Sequence, residues 1–262
     1  MSRRPILIVV ILLAIAACCG IYFAIDWMAA DAEVREYDQI QSEYSEVVYD
    51  DSAGEVDVPV SETDGLPYTL VDFDALLEQN PDTVGWVSIP DTLINYPVVQ
   101  ATNNSKYLNT SFSGNRSGAG AVFADAKNNM QELNQNTVLY GHNMGSGRTD
   151  MFGTLLDFND AEHYAGHQYI QFDTIYEQHG WWKIFAVINH DIRSKEFNYL
   201  RLDFESQNEF MEWVDKAREL SIYGADVEIQ KNDRILTLST CDRQFYGRNG
   251  RLLIMALKME RG

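Results

Sequence analysis

Residues Pro5 to Ile25 form an unbroken uncharged run of 21 positions, closed by Asp26. That length and polarity fit a single helix across a bilayer. Met1–Arg4 holds two arginines and no acid, and the segment after Asp26 is acidic. Basic residues stay on the cytoplasmic side. Residues 1–4 are therefore read as a cytoplasmic tip and 5–25 as a single-pass anchor in the cell membrane, with the body outside the cell. A cleaved signal peptide is a rival, but its apolar core is usually shorter. Ile15-Ala-Ala-Cys18 also looks like a lipoprotein cleavage box, although the apolar run continues past Cys18. All three readings put the body on the same side of the membrane.

Residues 26–66 read as an acidic stalk. Asp26 to Asp64 holds 13 acidic residues against one basic, Arg35, so most of the net charge of −19 sits there. Val34, Tyr37, Gln41, Tyr44 and Val48 recur near helical spacing and predict a helix in its first part. Asp50–Gly65 has no apolar period and reads as a flexible linker. Charge of this sign argues against nucleic acid as a partner.

The remaining stretch, 67–262, is long enough for one sizeable domain. Asp72 is placed to cap a short helix stopped at Asn80-Pro81. Short apolar runs predict strands at Val84–Ile89, Tyr96–Val99, Gly120–Ala124, Thr137–Gly141, Tyr169–Phe172, Trp181–Asn189, Val227–Gln230, Arg234–Thr240 and Arg251–Lys258. A short helical turn is expected at Asn103–Leu108, a glycine-containing loop at Gly145–Thr149 and a short helix at Met151–Phe158. Ser206 is placed to cap a helix with Phe210, Trp213, Val214, Ala217 and Leu220 on one face. Many short strands and few helices make the domain mainly β, a closed or nearly closed β-barrel with peripheral helices.

Of three cysteines, Cys18 and Cys19 lie in the apolar run, which leaves Cys241 alone in the body. A lone cysteine is either an inert buried thiol or a reactive one. Cys241 ends one apolar strand, and Arg251 opens the next ten residues later. The two belong at one end of a hairpin-like pair. A nearby cation favours the nucleophilic thiolate, and a guanidinium can donate to an oxyanion. Thr137-Val-Leu-Tyr-Gly-His142 delivers a histidine at the mouth of another strand, placed for proton transfer. The other four histidines lack such a setting, and no ligand spacing for a metal is present.

Thr237-Leu-Ser-Thr-Cys241 matches the TLxTC motif of sortases. Tyr140-Gly-His-Asn-Met144, with Met151-Phe152 and Leu155, is similar to the histidine segment of the class B branch. Val71–Gln100, including Asn80-Pro-Asp-Thr-Val-Gly-Trp-Val-Ser-Ile-Pro90 and Tyr96-Pro-Val-Val99, is similar to the class B amino-terminal region. The resemblance spans roughly 67–262. It implies an eight-stranded sortase-type β-barrel behind an N-terminal transmembrane helix, with the long helix between the sixth and seventh barrel strands. It also implies a cysteine transpeptidase of a Gram-positive bacterium that needs no metal or organic cofactor.

On this resemblance Cys241 is the nucleophile, His142 the acid and base, and Arg251 the oxyanion and substrate clamp. Arg243 and Arg248, in the loop Asp242–Gly250, compete for the arginine's role. Asp242 either orients His142 or is solvated. Asn104 and Leu108 match the class B positions that hold the sorting peptide, with Asn103 a simple substitute. Ser239, Thr240 and Tyr199 are further substrate-binding candidates, Tyr199 together with Leu200 by position only. The substrates would be secreted proteins with a carboxy-terminal sorting motif of the form Asn/Ser/Pro-Pro-x-Thr-x. The acceptor would be an amine of the peptidoglycan cross-bridge or of lipid II. Two other readings stay open at this point: a non-catalytic anchored barrel that binds peptide or wall material, and a plain cysteine peptidase.

Overall fold

In the computed structural model, the described residues are 3–49, 65–145 and 148–259. The linker expected at Asp50–Gly65 lies outside them except for its last residue, and the loop expected at Gly145–Thr149 lies partly outside them. The chain divides into two compact units, Met1–Ile40 and Gln41–Gly262. The first element is helix α1, Arg3–Tyr44. Its apolar part is long enough to cross a membrane. The large apolar side chains described there, Leu12 and Phe23 among them, stand exposed, as lipid-facing groups would.

The second unit opens with a two-stranded ribbon, β1 (Ser45–Val48) against β2 (Tyr68–Val71). β1 falls inside the stretch read as stalk. Side chains of the barrel hold the ribbon: Thr69 N donates to Gln171 Oε1 at 2.7 Å and Tyr68 Oη to Asp173 Oδ2 at 2.8 Å. Helix α2 (Phe73–Gln79) follows, capped by Asp72 as its sequence predicts, with Asp72 accepting from Ala75 N at 3.0 Å.

Eight strands then close a barrel: β3 (Thr83–Ser88), β4 (Asn95–Val99), β5 (Val122–Ala124), β6 (Asn136–Tyr140), β7 (Tyr169–Thr174), β8 (Trp181–Asp191), β9 (Ile235–Cys241) and β10 (Gly250–Lys258). Their order around the wall is β10-β8-β7-β3-β4-β5-β6-β9. Closure removes the free sheet edges. Most neighbours are antiparallel, but β4–β5 and β6–β9 run parallel and need long crossovers. The crossover from β6 to β9 carries helix α3 (Ala161–Gly166), β7, β8 and helix α4 (Gln207–Leu220).

One barrel face explains why β9 and β10 read as almost continuously apolar. Ile235, Leu253 and Met255 pack outward with Phe210, Trp213 and Val214 of α4. Leu236, Leu238, Leu252 and Ile254 alternate with them and fill the interior. Strands covered on both faces lose the apolar–polar alternation.

Two expectations need correction. Val227–Gln230 is not a strand: Val227 and Ile229 are buried in the α4 cluster, but no ladder partner runs beside them. Burial alone produced the alternating pattern. The segment after Cys241 is not an open loop but helix α5 (Arg243–Tyr246) followed by a 3-10 turn at Gly247–Asn249. The short helix expected at Met151–Phe158 is a 3-10 helix, Gly153–Asn159.

Candidate active site

The barrel topology assembles the site at one rim. β8, β10, β9 and β6 are consecutive around the wall. His190 on β8 pairs with Arg251 on β10, and Arg251 pairs with Cys241 on β9. β6 runs parallel to β9 with Tyr140 beside Ser239, so two residues further the chain brings His142 level with Cys241. Directly paired residues share a face. The face is the outer one, which α4 covers further along, because Leu253 and Val138 on it belong to the α4 cluster. Cys241, His142 and Arg251 are all half-buried. The three residues picked from the sequence therefore meet at one end of one face.

Each is held by backbone. Asn143 Nδ2 donates to the Cys241 carbonyl at 2.8 Å, joining the two strand ends. Thr240 Oγ1 donates to the Gly141 carbonyl at 2.9 Å. The His142 carbonyl accepts from Phe152 N at 2.9 Å. Phe152 packs against Gly141: a Cβ there would stand 2.5 Å from its ring, so any larger residue would push the Phe152 side chain aside. Arg251 Nη1 donates to the Gly250 carbonyl at 2.8 Å.

His142 Nε2 lies 2.9 Å from the Leu108 carbonyl oxygen. A carbonyl only accepts, so Nε2 carries the proton, and Nδ1 is the nitrogen left to take one up. No sequence pattern flags this contact, because a backbone carbonyl can come from any residue type.

The surroundings of Arg251 are aromatic. His190 lies edge-on to Tyr199, with centroids 5.3 Å apart. Burial pushes the His190 pKa down; the charge of Asp191 opposes it, and a smaller push from Arg251 adds to the lowering. Burial raises the Tyr199 phenol, while the neighbouring Ser239 hydroxyl and the Arg251 charge pull it back. Burial also raises Tyr140, followed by the charge of Asp125. Both phenols stay protonated, and Tyr140 donates to Asp125 Oδ2 at 2.8 Å.

The remaining candidates divide. Tyr199 and Ser239 lie on the face of Cys241. Thr240 points to the opposite, interior face with its hydroxyl engaged on Gly141, so it builds the site rather than facing a ligand. Leu108 leaves its side chain exposed beside His142. Asn104 is exposed overall, but its amide is bound at both ends: Nδ2 donates to Asp125 Oδ2 at 2.8 Å, and Oδ1 accepts from Ala126 N at 2.7 Å. Asp242 is not solvated. It is 2% exposed and caps α5, its Oδ1 accepting from Gln244 N at 2.8 Å. Arg243 and Arg248 are exposed on α5 and the turn after it. Sequence reasoning missed His190, Asn143 and Asp125. Asn143 follows His142 directly and had a signal in that placement; the other two needed the strand order.

Comparison with known proteins agrees with this fold. A sortase domain model matches residues 87–259. The chain belongs to the sortase family of cysteine transpeptidases. Its relatives place it in the class B branch. It is 34% identical to sortase B of Staphylococcus aureus over 184 residues, covering 70% of this chain and 73% of that protein. Against sortase B of Listeria monocytogenes the identity is 34% over 182 residues, 68% of this chain and 70% of that one. The crystal structure of sortase B from B. anthracis in complex with AAEK1 superposes with a TM-score of 0.71 at 30% identity, covering 90% of this chain and 100% of that one. A Staphylococcus aureus sortase B–substrate complex superposes at 0.66 with 33% identity, covering 72% and 85%.

Proposed function

We propose that this transpeptidase is anchored by residues 5–25 and acts outside the cell membrane on secreted proteins that end in an Asn/Ser/Pro-Pro-x-Thr-x sorting motif. Cys241 gives its thiol proton to His142, and the thiolate Sγ attacks the threonine carbonyl carbon. Arg251 donates to the oxyanion that forms. The peptide C–N bond breaks, and the departing amine takes a proton from His142. The acyl part then rests on Cys241 as a thioester. An amine of wall peptide or of its lipid-linked precursor attacks that thioester, gives its proton to His142, and releases the thiolate. A thioester suits this transfer because an amine competes well with water for it. Tyr199, Ser239 and the Leu108 side chain line the approach to Cys241.

One observation carries the reading: Cys241 and Arg251 are directly opposed across a ladder, and the strand on the other side of Cys241 ends at Tyr140, two residues before His142. The test is incubation with a sorting-type peptide and an amine donor, followed by mass spectrometry. A thioester adduct on Cys241 and an amine-joined product are expected. Protein with a free thiol that forms no adduct sinks the reading; hydrolysis alone makes it a peptidase. Fractionation checks the anchor: the full chain pellets with membranes, and a chain starting at residue 26 does not.

A further inference from the structure

Asp125 lies just past β5 and is 8% exposed. Three donors converge on its carboxylate. Tyr140 Oη and Asn104 Nδ2 both reach Oδ2 at 2.8 Å, and Lys127 N reaches Oδ1 at 2.9 Å. Its own N–H donates to the Val138 carbonyl at 2.9 Å, which fixes the carboxylate to β6. Tyr140 is two residues before His142. Asn104 begins the turn that ends at Leu108, whose carbonyl takes the Nε2 proton of His142. One buried carboxylate thus ties together the strand that carries His142 and the turn that orients its ring.

We propose that Asp125 is a positioning residue for acyl transfer, setting the tautomer and angle of His142 through Tyr140 and through the Asn104–Leu108 turn. The inference rests on His142 being the acid and base. It also gives Asn104 a role other than direct peptide binding. A general base works only within hydrogen-bond reach and in the right orientation, so a small shift of the turn acts on the chemical step. Asp125 touches neither substrate nor the reacting atoms.

Asp125→Asn tests this with little change in volume. The amide puts NH2 where one carboxylate oxygen stood, so it cannot accept from all three donors. Misplacing a catalytic group by about 1 Å costs up to ~10²-fold. We expect kcat for aminolysis to fall about tenfold or more, with the peptide KM within about twofold and a displaced limb in the kcat–pH profile. Tyr140→Phe removes one donor only and should lose less, in the same direction. Asn104→Ala should lower kcat alone and add little in the Asp125→Asn background, because both act through one link. Wild-type kcat in Asp125→Asn overturns the proposal. So does a loss confined to KM, which would make Asn104 a peptide contact, and so do additive losses in the double variant. His142→Ala keeps the two readings apart. If it retains turnover, the assignment of His142 fails. If it is inactive while Asp125→Asn behaves as wild type, only the positioning role fails.

Discussion

Cys241 and Arg251 are direct partners at the end of the β9–β10 ladder. Such pairs hold their Cβ atoms about 4.5–5.5 Å apart, whatever the solvent does. The pairing makes a sharp prediction about the guanidinium. Arg251→Lys keeps the charge but loses the planar fork that can serve an oxyanion and the Gly250 carbonyl together. We expect kcat/KM for aminolysis to drop about 10²–10³-fold, the usual cost of one oxyanion donor. Thermal unfolding should move little, because Arg251 is half-exposed. Cys241→Ala should abolish the adduct with equally little change in melting. Lysine activity near wild type would show that charge, not geometry, is what matters.

The parts of this rim differ in how far they could be read from sequence. Cys241, His142 and Arg251 were legible because each ends or opens an apolar strand, and strand ends are where a barrel can present side chains. Helix α4 was legible because Ser206 caps it and its apolar face has one period. β1 was not. Ser45-Glu-Val-Val48 carries two polar residues in four and pairs with a strand more than twenty residues away. Asp242 was misread, although an Asp two residues before Gln244 at a strand end is an N-cap signal. Leu108's carbonyl and the Asp125 link were out of reach, since both depend on which strands become neighbours.

His190 gives a pH dependence with a definite sign. Unfolded, its imidazole takes a proton near pH 6.5. Folded, burial outweighs the opposing charge of Asp191 and, with a smaller push from Arg251, holds its pKa below that. Between those two values the unfolded chain binds more protons, so stability rises with pH, and it is lost as pH falls from about 6.5 to the folded value. His163 has the same direction from burial and from His167, so it contributes to the same fall. His190→Phe keeps a ring against Tyr199 and removes one titration. Its melting temperature should drop less than wild type between about pH 7.5 and 5.5. Parallel curves would mean that His190 is not held neutral.

Ser206 is a control far in sequence from the reacting groups. Its hydroxyl accepts from Glu209 N at 3.3 Å and closes the first turn of α4. Ser206→Ala should cost about 1 kcal/mol in a denaturant titration. Turnover per folded enzyme should stay at the wild-type value. A loss of turnover would mean that α4 transmits more to the rim than packing against the outer face accounts for.

Gly120 links backbone strain to the proposed chemistry. Its φ is +62°, and a Cβ at this position would stand 2.2 Å from the Tyr107 carbonyl oxygen and 3.1 Å from that of Leu108. Ala121 N donates to the same Tyr107 carbonyl at 3.0 Å, so the turn cannot retreat without breaking that bond. Gly120→Ala therefore meets both an unfavourable backbone conformation, about 1–3 kcal/mol on its own, and a collision with backbone. The turn must move, and the Leu108 carbonyl that orients His142 moves with it. We expect lower stability in denaturant and, in the protein that remains folded, a fall in kcat larger than any rise in peptide KM. Gly114 also has a positive φ, of 83°, but a Cβ there meets nothing within 4 Å. Gly114→Ala should then show the strain without the catalytic loss. Equal kcat in the two variants would separate the Leu108 carbonyl from the proton transfer at His142.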